Sequence, residues 1–209
     1  MRWTQDDVIA AAFTTLESEG LEGLSLRGVA RALGAHLNSV SWYVKTKHSL
    51  IERMAEAIIG TVDVEDLPAE PIERVRTVVG RYRAAMLAHR DGGRLVAGTF
   101  TGGGNTLRVA EVIVGALLEV GTAEPDAARL CWALVYFTLG LTQEQQTRPD
   151  EVDAANAELI GQGRFPALAK VGVELLANDS FDARFDYGLA RMLNTDRQPA
   201  IVDMSSTKR

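Results

Sequence analysis

Between Leu24 and Ile51 the chain carries Arg27, Arg31, Lys45 and Lys47, with His36, His48 and an aromatic pair at Trp42-Tyr43, and no acidic residue. Acids crowd in on either side: Asp6, Asp7, Glu17, Glu19 and Glu22 before it, Glu52 and Glu56 after it. The protein as a whole has a formal net charge of −6. A cationic window inside an acidic protein is a local anion-facing surface, not a general coat for nucleic acid. Lysine and arginine neutralise phosphates, short polar side chains approach base edges, and asparagine has bidentate geometry for adenine. The chemistry these residues can do together is recognition of double-stranded DNA.

The elements that must position them read as helices. Apolar residues recur at spacings of three and four almost everywhere and strand-like alternation is nearly absent, which predicts an all-α fold. Thr4 with Asp7 three residues on is close to a capping box. Val8, Ile9, Ala12, Phe13 and Leu16 then form one helical stripe, which Gly20 and Gly23 stop. Ser25 caps a second helix running to Leu33, and Gly34 ends it. A third helix is predicted from about Leu37 to Val44, and a fourth from Lys47 to Ile59.

Leu26 to Val44 thus has the dimensions of a helix-turn-helix. The first helix lies across the DNA backbone, Gly34-Ala35-His36 turns, and the second helix enters the major groove. Val29, Ala30, Leu33, Leu37, Val40 and Val44 are the inward positions. Asn38, Ser39, Ser41 and Trp42 then face base edges, Arg27, Tyr43, Lys45 and Lys47 face phosphates, and His36 in the turn lies beside them. A generic helical hairpin with solvated polar residues has the same spacing. The missing acids and the Trp42-Tyr43 pair favour DNA. His36 and His48 lack a second ligand at helical spacing and His89 is remote, so no metal site is expected.

Asp63 to Pro71, with its acids and Pro68 and Pro71, is a composition break. It divides a DNA-binding domain of residues 1–62, including the connecting helix 47–60, from a ligand-binding and dimerisation domain of residues 68–195. A polar tail, 196–209, follows. Further helices are predicted over Ile72 to about His89, Thr106 to Val120, Asp126 to Gln145, Phe165 to about Ala177 and Phe181 to Leu193. Asp150 to Gln162 is polar and weakly amphipathic. Gly92-Gly93 and Gly102-Gly103-Gly104 bracket a short irregular stretch. It lacks the Lys-Ser/Thr of a phosphate-binding loop and suits a ligand-site or mobile loop.

Composition narrows the class further. The single cysteine, Cys131, rules out an intramolecular disulfide framework and fits a reducing compartment. The first residues lack the apolar core of a signal peptide, and the apolar run Leu130 to Leu141 is too short to span a bilayer. A cytoplasmic protein with no membrane partner is expected. No Ser-His-acid set, metal cluster or cofactor fingerprint is present, so an enzyme is not expected and no cofactor is implied. A small-molecule carrier and a helical interaction module without DNA are the rival classes.

The run Leu24-Ser-Leu-Arg-Gly-Val-Ala-Arg-Ala-Leu-Gly34, with Ser39-Val-Ser-Trp-Tyr-Val-Lys-Thr-Lys47 and Leu50-Ile51, resembles the DNA-binding domain of the TetR family of bacterial repressors. His89-Arg-Asp-Gly-Gly-Arg94 and Phe137-Thr-Leu-Gly140, followed by Glu144, resemble the ligand-binding domain of its tetracycline-repressor subgroup. The resemblance spans about residues 3 to 193. It implies a homodimer on a palindromic operator, released by a small organic effector, although an activator has the same sequence features.

The effector pocket it implies is walled by Val78 and Tyr82, by Val96, Thr99 and Phe100, and by Ile113. Cys131, Val135, Tyr136 and Glu144 complete it. The implied dimer interface is a four-helix bundle of residues 126–145 and 181–193 from each subunit, with stripes Leu130, Leu134, Phe137, Leu141 and Phe181, Phe185, Leu189, Leu193. Two departures stand out. Most relatives place Tyr where this chain has Ser41, and tetracycline-binding members place a magnesium-ligating His where it has Val96. The second departure predicts an effector bound without metal.

Overall fold

The computed structural model describes residues 3–99, 103–147, 157–172 and 180–193, and among them every regular element is a helix. α1 (Gln5–Gly23) begins with a full capping box. The Thr4 hydroxyl accepts the Asp7 N–H at 3.1 Å, and the Asp7 carboxylate accepts the Thr4 N–H at 2.7 Å. These bonds hold the Asp7 carboxyl below the usual carboxylate range. Gly20, at φ 71°, breaks the α1 ladder, and the last turn runs on at a new angle.

α2 (Leu26–Leu33) starts where Ser25 Oγ accepts the Gly28 N–H and ends at left-handed Gly34, φ 65°. α3 (Leu37–Tyr43) follows after the turn, then α4 (Lys47–Gly60), capped by Thr46. Val8, Leu16, Val29, Val40, Val44, Leu50 and Met54 are buried together and lock the four helices. Of the predicted inward positions, Leu37 departs: it is 37% exposed, because it is the first residue of α3, where the chain leaves the turn.

The remaining helices are α5 (Pro71–Leu87), α6 (Gly92–Ala97), α7 (Gly104–Glu119) and α8 (Glu124–Thr147), then α9 (Pro166–Val171) and α10 (Phe181–Leu193). A π-helical turn, Ile160–Arg164, precedes α9. Pro71 sits in the first turn of α5, where its missing N–H costs nothing, and the Glu70 carboxylate accepts the Glu73 N–H. α9 stops at Val171 before Gly172, φ 91°, short of the predicted end; 173–177 lie outside the described residues. So do most of 150–162 and the tail, 196–209.

α6 lies in the stretch that sequence alone renders as irregular. Its glycines serve close packing. A Cβ on Gly92 would run into the Met86 carbonyl oxygen, and one on Gly93 would come within 2.9 Å of Thr142 on α8. The low helix propensity of glycine hides the element, and the contact with α8 requires it.

The two apolar stripes of α8 and α10 meet within one protomer. Leu134, Phe185, Leu189 and Leu193 are buried, and the Phe137 and Phe185 rings stack at 6.1 Å. Arg83 on α5 reaches this seam. It donates to Asp182 at 2.7 Å and to Gln145 at 2.6 Å, with its guanidinium 4.9 Å from the Phe185 ring centre. Four of the eight predicted stripe residues thus serve the protomer's own core, and Leu130, Phe137, Leu141 and Phe181 are half-buried. The large side chains left exposed on these helices are Trp132 and Tyr136 on α8 and Tyr187 on α10.

Candidate functional site

The turn at Gly34 and the burial of Val40 and Val44 turn the opposite side of α3 outward. Asn38 is exposed, Ser39 and Ser41 are half-buried, and Trp42 is 82% exposed, more than any other large apolar side chain described. His36 stands exposed at the α3 N-cap without a capping hydrogen bond. Arg27 and Lys45 are exposed beside this helix.

Two residues expected on phosphates are otherwise engaged. The half-buried Tyr43 donates its hydroxyl to the Trp3 carbonyl oxygen, which ties the chain ahead of α1 to α3. Lys47 donates to the Leu21 and Glu22 carbonyl oxygens at 3.0 and 3.2 Å, satisfying the last turn of α1. Arg31 pairs with Glu19 at 2.7 Å. The cations presented outward without such ties are Arg27 and Lys45.

A cavity of about 800 Å³ is bounded by α4, α5, α6, α7 and α8. Tyr82, Val96, Thr99, Ile113, Cys131, Val135 and Tyr136 line it as expected positions, and Ile59, Val79, Thr106, Trp132, Leu139 and Gln143 line it as well. Val78 is buried but off the wall; its neighbour Val79 takes the place, since one residue along a helix is a turn of about 100°. Glu144 is likewise off the wall: it is exposed, 4.0 Å from Arg184, while Gln143 faces the cavity. Phe100 lies outside the described residues. Ile59 was legible only as the last residue of the predicted fourth helix, and Trp132 only as part of an apolar run.

The wall is uncharged among the described residues. Its polar atoms are the hydroxyls of Tyr82, Tyr136, Thr99 and Thr106, the Cys131 thiol and the Gln143 amide. Thr99 donates to the Val96 carbonyl oxygen, Gln143 to that of Leu139 and Thr106 to Glu56, and Tyr136 is exposed, so Tyr82 carries the buried wall hydroxyl with no hydrogen bond among the described residues. Burial pushes the Tyr82 phenol above its ordinary value and the Cys131 thiol likewise, so both are protonated near neutrality. Hard divalent cations are held chiefly by carboxylate and other oxygen ligands and softer ones by imidazole or thiolate, and the described wall offers neither a carboxylate nor an imidazole. With Val96 in the wall, these residues do not fit a metal-chelate anchor.

The cavity walls are wired to the N-terminal helices. The break at Gly20 frees backbone groups of α1, and the segment entering α6 takes them up. Asp91 accepts the Leu21 N–H at 2.9 Å, and Arg90 donates to the Glu17 and Ser18 carbonyl oxygens at 3.1 and 3.2 Å. Arg94 pairs with Glu22 at 2.5 Å, and the His89 ring stacks on Phe13 at 4.4 Å. No helix of the described residues is long and apolar enough to cross a membrane.

Comparison with known proteins agrees with this arrangement. Residues 67–195 match the family model described as the tetracyclin repressor-like C-terminal domain. The chain is 31% identical over 196 residues to the class E tetracycline repressor protein of Escherichia coli, covering 92% of this chain and 90% of that one. It is 28% identical over 186 residues to the class A tetracycline repressor protein of Escherichia coli, from transposon 1721, covering 88% and 85%. A crystal structure described as a possible TetR family transcriptional regulator from Streptomyces coelicolor A3(2) superposes with a TM-score of 0.84 at 33% identity, over 93% of this chain and 98% of the other. ActR of Streptomyces coelicolor, in complex with (S)-DNPA, gives 0.82 at 25% identity over 92% and 96%. With a family model matched over more than half of its length and a relative 31% identical over 92% of it, the chain belongs to the TetR family of transcriptional regulators.

Proposed function

We propose that this protein is an effector-released repressor that binds a palindromic DNA operator as a homodimer and does no catalysis. The observation that carries this is a shared helix: α4 follows the recognition helix α3 directly, and its Ile59 forms part of the cavity wall. What fills the cavity therefore presses on the helix that carries the DNA-reading surface. Base edges would be met by Asn38, Ser39, Ser41 and Trp42, with His36 at the helix start, and phosphates by Arg27 and Lys45. That relatives are named tetracycline repressors and that ActR is seen with bound small molecules support a ligand-responsive repressor.

The effector is an uncharged, mainly apolar organic molecule held without metal, because the described wall offers no charge and one unengaged buried hydroxyl, Tyr82. Dimerisation is supported by the exposed Trp132, Tyr136 and Tyr187 on α8 and α10, aromatic area that a monomer would leave in water. It places two recognition helices about one helical turn of DNA apart. Such a protein acts in the cytoplasm. The test is binding of a mixed-sequence duplex at low salt by the wild type and by Trp42→Ala and Lys45→Ala. Weakened binding by both variants supports the proposal, and unchanged binding by both contradicts it.

A further inference from the structure

A second connection between the cavity and the DNA-reading helices runs through one side chain. Glu56 leaves α4 from the same face as Ile59, three residues on, and ends at the first turn of α7. Its Oε1 accepts the Asn105 N–H at 2.6 Å, and its Oε2 accepts the Thr106 hydroxyl at 3.0 Å. Asn105 returns the contact, donating its side-chain N–H to the Glu56 carbonyl oxygen at 3.1 Å. Further along, Arg108 donates to the Gly60 and Val62 carbonyl oxygens at 3.2 and 3.1 Å, closing the end of α4.

Two glycines make room for this latch. A Cβ on Gly103 would collide with the Glu56 carboxylate, and one on Gly60 would lie 2.7 Å from the Asn105 side-chain nitrogen. The carboxylate caps one orphan amide, that of Asn105, at the positive end of α7, where an anion is favoured. Charge-assisted bonds of this kind are short and directional.

The far side of the same turn belongs to the cavity. Thr106, Val109, Ala110 and Ile113 line it at i, i+3, i+4 and i+7, one face of α7. Thr106 therefore does two things: its residue forms cavity wall, and its hydroxyl holds Glu56. A molecule pressing on this stripe displaces the first turn of α7 and pulls on a carboxylate fixed to α4.

We propose that Glu56 is the positioning residue that holds the recognition helix in its DNA-competent pose, by clamping α4 to the cavity-lining first turn of α7. This rests on the repressor function proposed above. With the clamp in place, α4 and α3 are preorganised for the operator; without it they are free to swing, and that freedom must be lost again on binding. The carboxylate acts as an acceptor pair, so glutamine, which keeps one carbonyl oxygen, retains part of the clamp. Alanine retains none.

The experiment measures the affinity of full-length wild type, Glu56→Ala, Glu56→Gln and Thr106→Val for the duplex that the wild type selects from a random pool, with thermal melting and dimer state measured beside it. Glu56→Ala is expected to lose about tenfold in affinity, the scale of a typical coupling between sites, with its fold intact. Glu56→Gln recovers part of that loss, and Thr106→Val falls between wild type and Glu56→Ala. Should Glu56→Ala fail to fold, the folded glutamine and Thr106→Val variants decide: both are expected to bind more weakly than wild type. Equal affinity for all folded variants overturns the clamp while leaving the repressor function standing. A wild type that selects no duplex overturns both.

Discussion

The Lys47 ammonium lies 3.0 Å from the Leu21 carbonyl oxygen, so a lysine expected on a DNA phosphate caps the end of α1 in the protein without DNA. Lys45, two residues earlier, is exposed and has no such tie among the described residues. Replacing Lys45 with alanine should reduce the slope of log affinity against log salt by about two units for the dimer, one phosphate contact being lost per subunit. Replacing Lys47 should leave the slope unchanged and lower stability by about 0.3–1 kcal/mol, the usual worth of a cation at a helix C-terminus. Anisotropy titrations at several salt concentrations, with denaturant melts, separate the two.

Cys131 reports on the cavity. Its thiol lines the wall and burial raises its pKa, so at any given pH less of it is thiolate than for an ordinary cysteine. Alkylation by iodoacetamide should be slow at neutral pH and accelerate only above the pH at which a free thiol becomes reactive. A neutral molecule that occupies the cavity should slow it further. Mass spectrometry of the Cys131 peptide measures both effects, and rapid neutral-pH alkylation would contradict the burial.

The Tyr82 hydroxyl should anchor the effector. Tyr82→Phe keeps the ring and removes the donor, so effector affinity should fall by about 1 kcal/mol, near fivefold, while operator affinity in the absence of effector stays unchanged. Titration calorimetry with a compound that releases the wild type from DNA checks this. A Tyr82→Phe protein with wild-type effector affinity would place the polar anchor elsewhere.

Gly93 is required by contact. An alanine Cβ there meets Thr142 at 2.9 Å and the Gln143 amide at 3.2 Å, both in the backbone-tight seam of α6 and α8. Gly93→Ala should cost about 1–3 kcal/mol, the range for overpacking a well-filled core. A melt unchanged from wild type would show that α6 can shift freely.

The N-terminal helices were legible because their signals are local. The capping pair Thr4 and Asp7, the cap Ser25, the left-handed Gly34 and the buried Val40 and Val44 all act within a few residues of themselves. What escaped was set by partners far along the chain. Lys47 and Tyr43 were assigned by their charge and hydroxyl, yet Leu21 and Trp3, both distant in sequence, claim them. α6 escaped because glycines that permit its packing also depress its helical signal.

In the cavity the differences from expectation are single steps of register: Val79 lines the wall where Val78 was expected, and Gln143 where Glu144 was. Nothing in apolar spacing fixes which of two adjacent residues on a helix faces inward when both flanks are packed. Of the stripes Leu130, Leu134, Phe137, Leu141 and Phe181, Phe185, Leu189, Leu193 expected between subunits, Leu134, Phe185, Leu189 and Leu193 are buried within the protomer. Glu56 gave no local signal, since its partners Asn105 and Thr106 lie about fifty residues away.

Selection of bound duplexes from a random DNA pool at fixed salt, followed by sequencing, tests the central claim most directly. The account predicts recovery of one palindrome whose half-sites lie about one helical turn apart and whose enrichment disappears with Trp42→Ala. Recovery of no sequence above background by the folded protein would contradict it.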